Sequence, residues 1–102
     1  MKPAQFEELV RTALDELPPR LAAALENVAV VVADEDLEDS TLFGLWEEHP
    51  YLPDRITIFR RPLERAFPEP ADLAREVRVT VLHELAHYFG IDEDRLDELG
   101  YG

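Results

Sequence analysis

Apolar residues near the start of the chain recur with helical periodicity and then give way to a strand-like run. Helical spacing of i, i+3, i+4 and i+7 holds over residues 3–17, with apolar side chains at Phe6, Leu9, Val10, Ala13, Leu14 and Leu17. Pro18 and Pro19 end this predicted helix, and a second, short helix is expected over residues 20–26. Residues 28–33 are an unbroken, valine-rich apolar run, which predicts a buried strand.

Two further strands are expected in the middle of the chain. Residues 41–46 are mostly apolar and contain Gly44, which indicates a bulge or a close approach of another backbone segment. Residues 55–60 alternate between polar and apolar positions, as a half-buried strand does. The following residues 61–70 contain three prolines and predict a turn-rich connection with one short helical turn over residues 63–66.

The next apolar segment fits two periodicities. Strand-like alternation is present in Val77, Val79 and Val81, whereas helical spacing is shared by Leu73, Val77, Val81, Leu85 and Phe89. Pro70 and Asp72 suit a first helical turn, and Gly90 suits the position just after a helix. We therefore predict one long helix over residues 71–89 and a short helix over residues 93–99.

Composition and charge narrow the function classes. The chain has 102 residues with 23 acidic and 10 basic side chains, a formal net charge of -13, so its surface repels phosphate backbones and suits cations or basic peptides. It has no cysteine, which excludes disulfides, thiolate metal ligands and thiol nucleophiles. Neither a signal-peptide pattern nor a membrane-length apolar run is present, so we expect a soluble, cytoplasmic protein. We also expect a single domain over residues 1–102 and no nucleic-acid or membrane partner. The sequence does not determine the oligomeric state.

The segment VLHELAHYFG, residues 81–90, carries the clearest chemical signal. On a helix, residues i and i+4 lie on the same face, so His83 and His87 project side by side and both imidazoles can reach one metal ion. Glu84 is one position further round, where a carboxylate can act as a general base on a water molecule. The pattern H-E-x-x-H therefore predicts a zinc site with Glu84 as its catalytic residue, while Leu85, Ala86 and Phe89 face the core.

A catalytic zinc site needs a third protein ligand, and the sequence offers several. Gly90 can end the helix and let the chain turn back towards the ion, and the residues that follow are rich in carboxylates, IDEDRLDE. Glu93 occupies the eleventh position counted from His83, where H-E-x-x-H-x-x-G-x-x-H/D proteins carry their third ligand. The alternatives that stay open are Asp92, Asp94, Asp97, Glu98 and His49.

The segment VLHELAHYFGIDEDRLDELG, preceded by LPDRITIFRRPLER and LFGLWE, resembles the small bacterial zincin-like metallopeptidase family over roughly residues 40–102. The resemblance implies a compact α+β fold in which a small mixed sheet packs on helices and one long helix carries the motif. It also implies that His83 and His87 are zinc ligands and that Glu84 is the catalytic acid and base. The family often has aspartate at the last ligand position, where this chain has Glu93.

Two functions of different classes are compatible with these features. The first is a zinc-dependent metallopeptidase that hydrolyses peptide bonds of short or flexible peptides, and the second is a metal-binding zincin-fold protein without turnover. In the first, Tyr51, Tyr88 or Tyr101 is a candidate donor to the oxyanion. An edge strand at residues 41–46 would bind an extended peptide by β-augmentation, with Phe43 and Trp46 as core or groove-wall residues.

Overall fold

The computed structural model describes residues 1–89 and residue 94. Its helices and strands follow in the order α1 (Pro3–Asp15), α2 (Pro19–Ala24), β1 (Ala29–Ala33), β2 (Gly44–Glu47), β3 (Arg55–Phe59), α3 (Arg60–Ala66) and α4 (Pro70–Phe89). The predicted α+β class, a small mixed sheet packed on helices with one long helix bearing the motif, is confirmed. Within the described residues, no helix is long and apolar enough to cross a membrane.

The three strands form one mixed sheet in the order β1-β3-β2. β1 runs parallel to β3, with Val31 opposite Thr57, whereas β2 runs antiparallel to β3, with Trp46 opposite Ile56. The central strand β3 is accordingly the most buried, since Ile56 and Ile58 are fully enclosed. β1 and β2 are the two outer strands of this sheet.

The core lies between the sheet and the helices α4 and α1. α4 packs against β2 and β3, and α1 packs against α4. The side chains that are completely buried at this junction are Phe6, Ile56, Ile58, Leu63, Val77 and Val81. Burial of each side chain of this size contributes roughly 1.5–3 kcal/mol, so the core fixes the rotation of α4 about its axis.

α4 settles the two competing periodicities in favour of the helix. It is a 20-residue helix that begins at Pro70, and Leu73, Val77, Val81 and Leu85 form its buried stripe. Val79, which a strand would place on the same face as Val77 and Val81, is only half-buried. Proline in the first turn and acidic Asp72 beside it favour the helix start, as the sequence indicates.

Some predicted boundaries and one predicted environment were wrong. The strand expected to be buried at residues 28–33 is β1, and none of its five residues is buried because it lies at a sheet edge and α1 packs on α4. β2 begins at Gly44, later than expected, and α3 begins at Arg60, earlier than the predicted helical turn. The predicted helix at residues 93–99 lies outside the described residues except for Asp94.

Candidate active site

One ridge of α4 runs along the outer strand β2. Thr80, Glu84 and Tyr88 are spaced by four residues, and this spacing aligns them on one side of the helix. A Cβ atom built on Gly44 would lie 2.7 Å from Thr80 Cγ2 and 3.6 Å from Glu84 Cγ. Helix and strand therefore approach to a separation that only glycine permits at position 44. The closest neighbour is the Thr80 side chain, not the backbone segment predicted from the sequence.

The backbone of β2 turns alternate peptide groups away from β3. The Phe59 N–H donates to the Phe43 carbonyl at 2.9 Å, and the register continues with Gly44 opposite Ile58. Because hydrogen-bonded and non-hydrogen-bonded pairs alternate in an antiparallel ladder, Gly44 and Trp46 direct their N–H and C=O groups outward. These outward groups border the ridge of α4 that carries Glu84.

The Glu84 carboxylate accepts a hydrogen bond from the backbone N–H of Trp46. Burial raises the pKa of Glu84, because removal of water disfavours the charged carboxylate. His87, the Trp46 N–H and His83 act in the opposite direction and partly offset that rise in pKa. Glu84 is therefore a half-buried carboxyl group beside both histidines of the motif and at the edge of the sheet.

The two histidines lie on the solvent side of this ridge. His83 is half-buried and His87 is exposed, whereas Leu85 and Ala86 between them are buried, so the motif's polar residues face outward as predicted. Within the part of the chain that the structure describes, neither imidazole makes a side-chain hydrogen bond to the protein. Their ring nitrogens are thus open to a ligand on this side of α4.

An aromatic pair closes the site at the far end of β2. The indole of Trp46 stacks on the phenol of Tyr88, with ring centroids 4.3 Å apart and planes 16° from parallel. Asp54, at the end of the loop that leads into β3, accepts a hydrogen bond from Trp46 Nε1 at 3.3 Å and another from the Tyr88 hydroxyl. The negative charge of Asp54 and this hydrogen bond raise the pKa of Tyr88.

Asp54 belongs to no motif in the sequence, and only its place between Pro53 and the start of β3 distinguishes it. Of the three tyrosines predicted as oxyanion donors, Tyr88 has its hydroxyl directed to Asp54. Tyr51 is 95% exposed, and Tyr101 lies outside the described residues. None of them is thereby assigned to the oxyanion.

The third metal ligand predicted from the sequence, Glu93, lies outside the described residues, as do Asp92, Asp97 and Glu98. Among residues 1–89 and 94, no three His, Asp or Glu side chains are gathered to hold a metal, so neither His49 nor exposed Asp94 completes a set with His83 and His87. The two imidazoles present are nevertheless donors of the kind zinc prefers, on one turn of a helix anchored in the core. The donor set that is described fits zinc and needs one further ligand from another part of the chain.

A long helix that carries H-E-x-x-H beside the outer strand of a small mixed sheet defines the zincin class of protein. The family model described as zincin-like metallopeptidase matches residues 25–102. The chain belongs to this zincin-like metallopeptidase family. A search of curated proteins finds no match to the chain.

Proposed function

We propose that the protein is a zinc-dependent peptidase that hydrolyses short or flexible peptides, with His83 and His87 as zinc ligands and Glu84 as general base. The observation that carries this proposal is the hydrogen bond between the Glu84 carboxylate and the Trp46 N–H at the edge of β2. It places the carboxylate of the motif directly beside a strand edge that an extended peptide can pair with. Membership of the zincin-like metallopeptidase family supports the same class of reaction.

The residues of the site divide the chemistry between them. Bound zinc supplies Lewis acidity, which lowers the pKa of a water molecule and polarises the carbonyl of a peptide bond. Glu84 takes the proton of the attacking water and returns it to the leaving amine. The rise in its pKa caused by burial suits this exchange, because a carboxyl group that is less acidic than usual both accepts and releases a proton nearer neutral pH.

The outward peptide groups of β2 supply the binding edge for the substrate. Gly44 and Trp46 direct N–H and C=O groups away from β3, so an extended peptide can lie along them as a further strand. The carbonyl of such a peptide replaces the Glu84 carboxylate at the Trp46 N–H, and Glu84 is thereby released towards the scissile bond. A shallow, open edge of this kind favours short or flexible peptides over folded proteins.

The test is a comparison of zinc content and peptide hydrolysis in matched variants, with protein purified without chelators or metal-affinity tags. Glu84→Gln should keep its zinc and lose about 10²–10⁴-fold in the rate of cleavage of unstructured fluorogenic peptides, because only the base is removed. Glu76→Gln is the control, since Glu76 is a partly buried carboxylate two turns earlier on the same helix. His83→Ala and His87→Ala should lose zinc as well as activity.

Two outcomes would contradict the proposal. If zinc-loaded wild-type protein shows no peptide cleavage that depends on Glu84, the protein is a metal-binding zincin-fold protein without turnover. Wild-type protein that takes up no zinc when supplied with the ion would remove the basis for both readings of the motif.

A further inference from the structure

In the part of the chain that the structure describes, the outer strand β1 carries neither a charged side chain nor a proline to protect its sheet edge. Its residues, Ala29–Ala33, read AVVVA, with no charged residue and no proline, and Val31 is 38% exposed. Natural edge strands are commonly blocked by lysine, proline, a bulge or a covering element. Within the described residues β1 pairs only with β3, and no described strand pairs with its other edge.

The register with β3 determines which peptide groups β1 presents at that edge. The Ala29 N–H donates to the Asp54 carbonyl at 2.8 Å, and Ala29 is opposite Arg55 in the parallel register. In a parallel ladder alternate residues direct both backbone groups to the same neighbour, so Ala29, Val31 and Ala33 face β3. The N–H and C=O groups of Val30 and Val32 therefore point away from the sheet.

We infer that β1 is the interface of a symmetric dimer, in which a second copy of this chain adds its own β1 in antiparallel orientation. The segment AVVVA reads the same in both directions, and a two-fold axis at Val31 places Val30 opposite Val32 of the second copy. These two residues carry the outward groups, so they make hydrogen-bonded pairs on both sides of the axis. Four N–H···O bonds join the two strands.

The ends of this ladder are also defined by the structure. The Val28 N–H donates to the Leu25 carbonyl, and the Asp34 carbonyl accepts from the Arg61 N–H at 2.9 Å, so these groups at either end of β1 already have partners within the chain. Pairing beyond the apolar strand is therefore weakened, because one backbone group at each end is already bonded within the chain. The residues that read the same in both directions, Ala29–Ala33, therefore include the two residues, Val30 and Val32, whose backbone groups point away from the sheet.

Charges beside β1 favour a second copy over an unrelated strand. A groove of about 430 Å³ lies between β1 and α1, and α1 lines it with Glu7, Val10, Arg11 and Leu14. Arg11 also forms an exposed ion pair with Glu8 of the same helix at 2.6 Å. A two-fold axis at Val31 brings the α1 helices of the two copies together in opposite directions. Glu7 of each copy then faces Arg11 of the other, and two pairs of opposite charge form across the interface.

The dimer leaves the candidate active site open. The order β1-β3-β2 puts β2 at the opposite side of the sheet from β1, so the joined sheet has six strands with a β2 edge at each end. At about 4.8 Å between neighbouring strands, the two β2 edges lie roughly 24 Å apart. This inference is independent of the proposed peptidase activity, because it depends only on β1 and α1.

Sedimentation equilibrium of the full chain across the micromolar range tests the dimer, together with amide hydrogen exchange. Wild type should show twice the monomer's 11.7 kDa. Val31→Lys should be monomeric, because two lysines would meet at the axis, whereas Val31→Thr keeps a branched, uncharged side chain and should dimerise. Val32→Pro should also weaken the dimer, since it removes an outward N–H and leaves the ladder to β3 intact.

Charge-swap variants and amide hydrogen exchange test the dimer in two further, independent ways. Glu7→Arg should weaken association, and the double variant Glu7→Arg/Arg11→Glu should restore it, because the cross-interface pairs are then exchanged rather than lost. The amides of Val30 and Val32 should exchange slowly in wild type and fast in Val31→Lys, whereas the Val31 amide, bonded to β3, should be protected in both. A monomeric wild type, or a dimer that Val31→Lys leaves intact, would overturn the inference.

Discussion

Glu84 on α4 and Trp46 on β2 are joined by a hydrogen bond from the strand's outward N–H to the helix's carboxylate. This contact ties the proposed general base to the edge of the sheet rather than to another side chain. Its existence depends on how closely α4 approaches β2, and at Gly44, two residues earlier on the same strand, an added Cβ would lie only 2.7 Å from Thr80 Cγ2 of α4. The geometry of the base is therefore sensitive to a position that carries no side chain.

Gly44→Ala should lower the free energy of unfolding by about 1–3 kcal/mol, as overpacking in a well-packed core does. The added methyl group would lie 2.7 Å from Thr80 Cγ2, and Thr80 is held in place by a hydrogen bond from its Oγ1 to the Glu76 carbonyl at 2.8 Å. Urea unfolding followed by circular dichroism measures the loss. The same variant should reduce peptide hydrolysis, because α4 must move away from β2, and the hydrogen bond from the Trp46 N–H to Glu84 would then be lengthened.

The matched control for this prediction is Thr80→Ser. Serine keeps the hydroxyl group that bonds to Glu76 and removes only Cγ2, the atom that the new methyl group would meet. In the double variant Gly44→Ala/Thr80→Ser the next neighbour of the methyl group is the Thr57 carbonyl oxygen at 3.4 Å. Most of the lost stability should return in this double variant. If its loss instead equalled the sum of the losses in the two single variants, the clash would not be the cause.

Trp46→Ala should destabilise the protein by about 2–3 kcal/mol, because it removes the stacking on Tyr88 as well as apolar burial. Trp46→Phe keeps a stacking ring and loses the hydrogen bond from Nε1 to Asp54 together with part of the stacked area, so its loss should be smaller, about 1–2 kcal/mol. Urea unfolding monitored by circular dichroism ranks the two variants, since Trp46 is the chain's one tryptophan and its fluorescence is lost with it. If Trp46→Ala and Trp46→Phe lost the same stability, the contribution of Trp46 would come from its indole N–H and not from stacking on Tyr88.

Much of this fold can be predicted from the sequence because its signals are local. Prolines begin both α1 and α4, and the buried stripe of α4 follows from helical spacing alone. The environment of β1 is different. Its valine-rich run indicates a strand, but whether a strand lies in the middle or at the edge of a sheet depends on pairings made by residues far away in the chain, here with Arg55–Phe59.

The candidate site shows the same division. One turn of helix positions His83, Glu84 and His87, so their proximity can be predicted from their spacing in the sequence. The contact of Glu84 with the Trp46 N–H, and the contacts of Asp54 with Trp46 and Tyr88, join segments that only the tertiary fold brings together. No periodicity in residues 44–54 indicates which backbone group faces outward, because that depends on the register with β3.

Glu93→Ala should weaken zinc binding more than about 100-fold, which exceeds the effect usual for residues that only support a ligand. This prediction follows from the position of Glu93 in the motif, since the residue itself is outside the described part of the chain. Competition with a chromogenic chelator measures the affinity, and Asp94→Asn, a change at an exposed carboxylate next to it, is the control. A larger loss in Asp94→Asn or in Asp92→Asn would move the third ligand to that residue.

Tyr88 should titrate at a higher pH than an ordinary tyrosine, whose pKa is 10.0, because the charge of Asp54 and its hydrogen bond disfavour the phenolate. A pKa that is raised by folding means that the protonated phenol stabilises the folded state. That contribution is complete below the pKa of the unfolded chain and is lost as the pH rises through the pKa of the folded state. Stability should therefore fall above about pH 10.

Absorbance titration of the phenol follows this group directly when Tyr51 and Tyr101 are replaced by phenylalanine, which leaves Tyr88 as the only tyrosine of three. Asp54→Asn should lower the pKa of Tyr88 towards the ordinary value, since it removes the first cause of the shift. Glu48→Gln should have a smaller effect of the same sign, because Glu48 acts only through its charge and contributes least. An unchanged Tyr88 pKa in Asp54→Asn would separate the phenol from Asp54, and the aromatic pair would then hold the end of β2 on α4 by stacking alone.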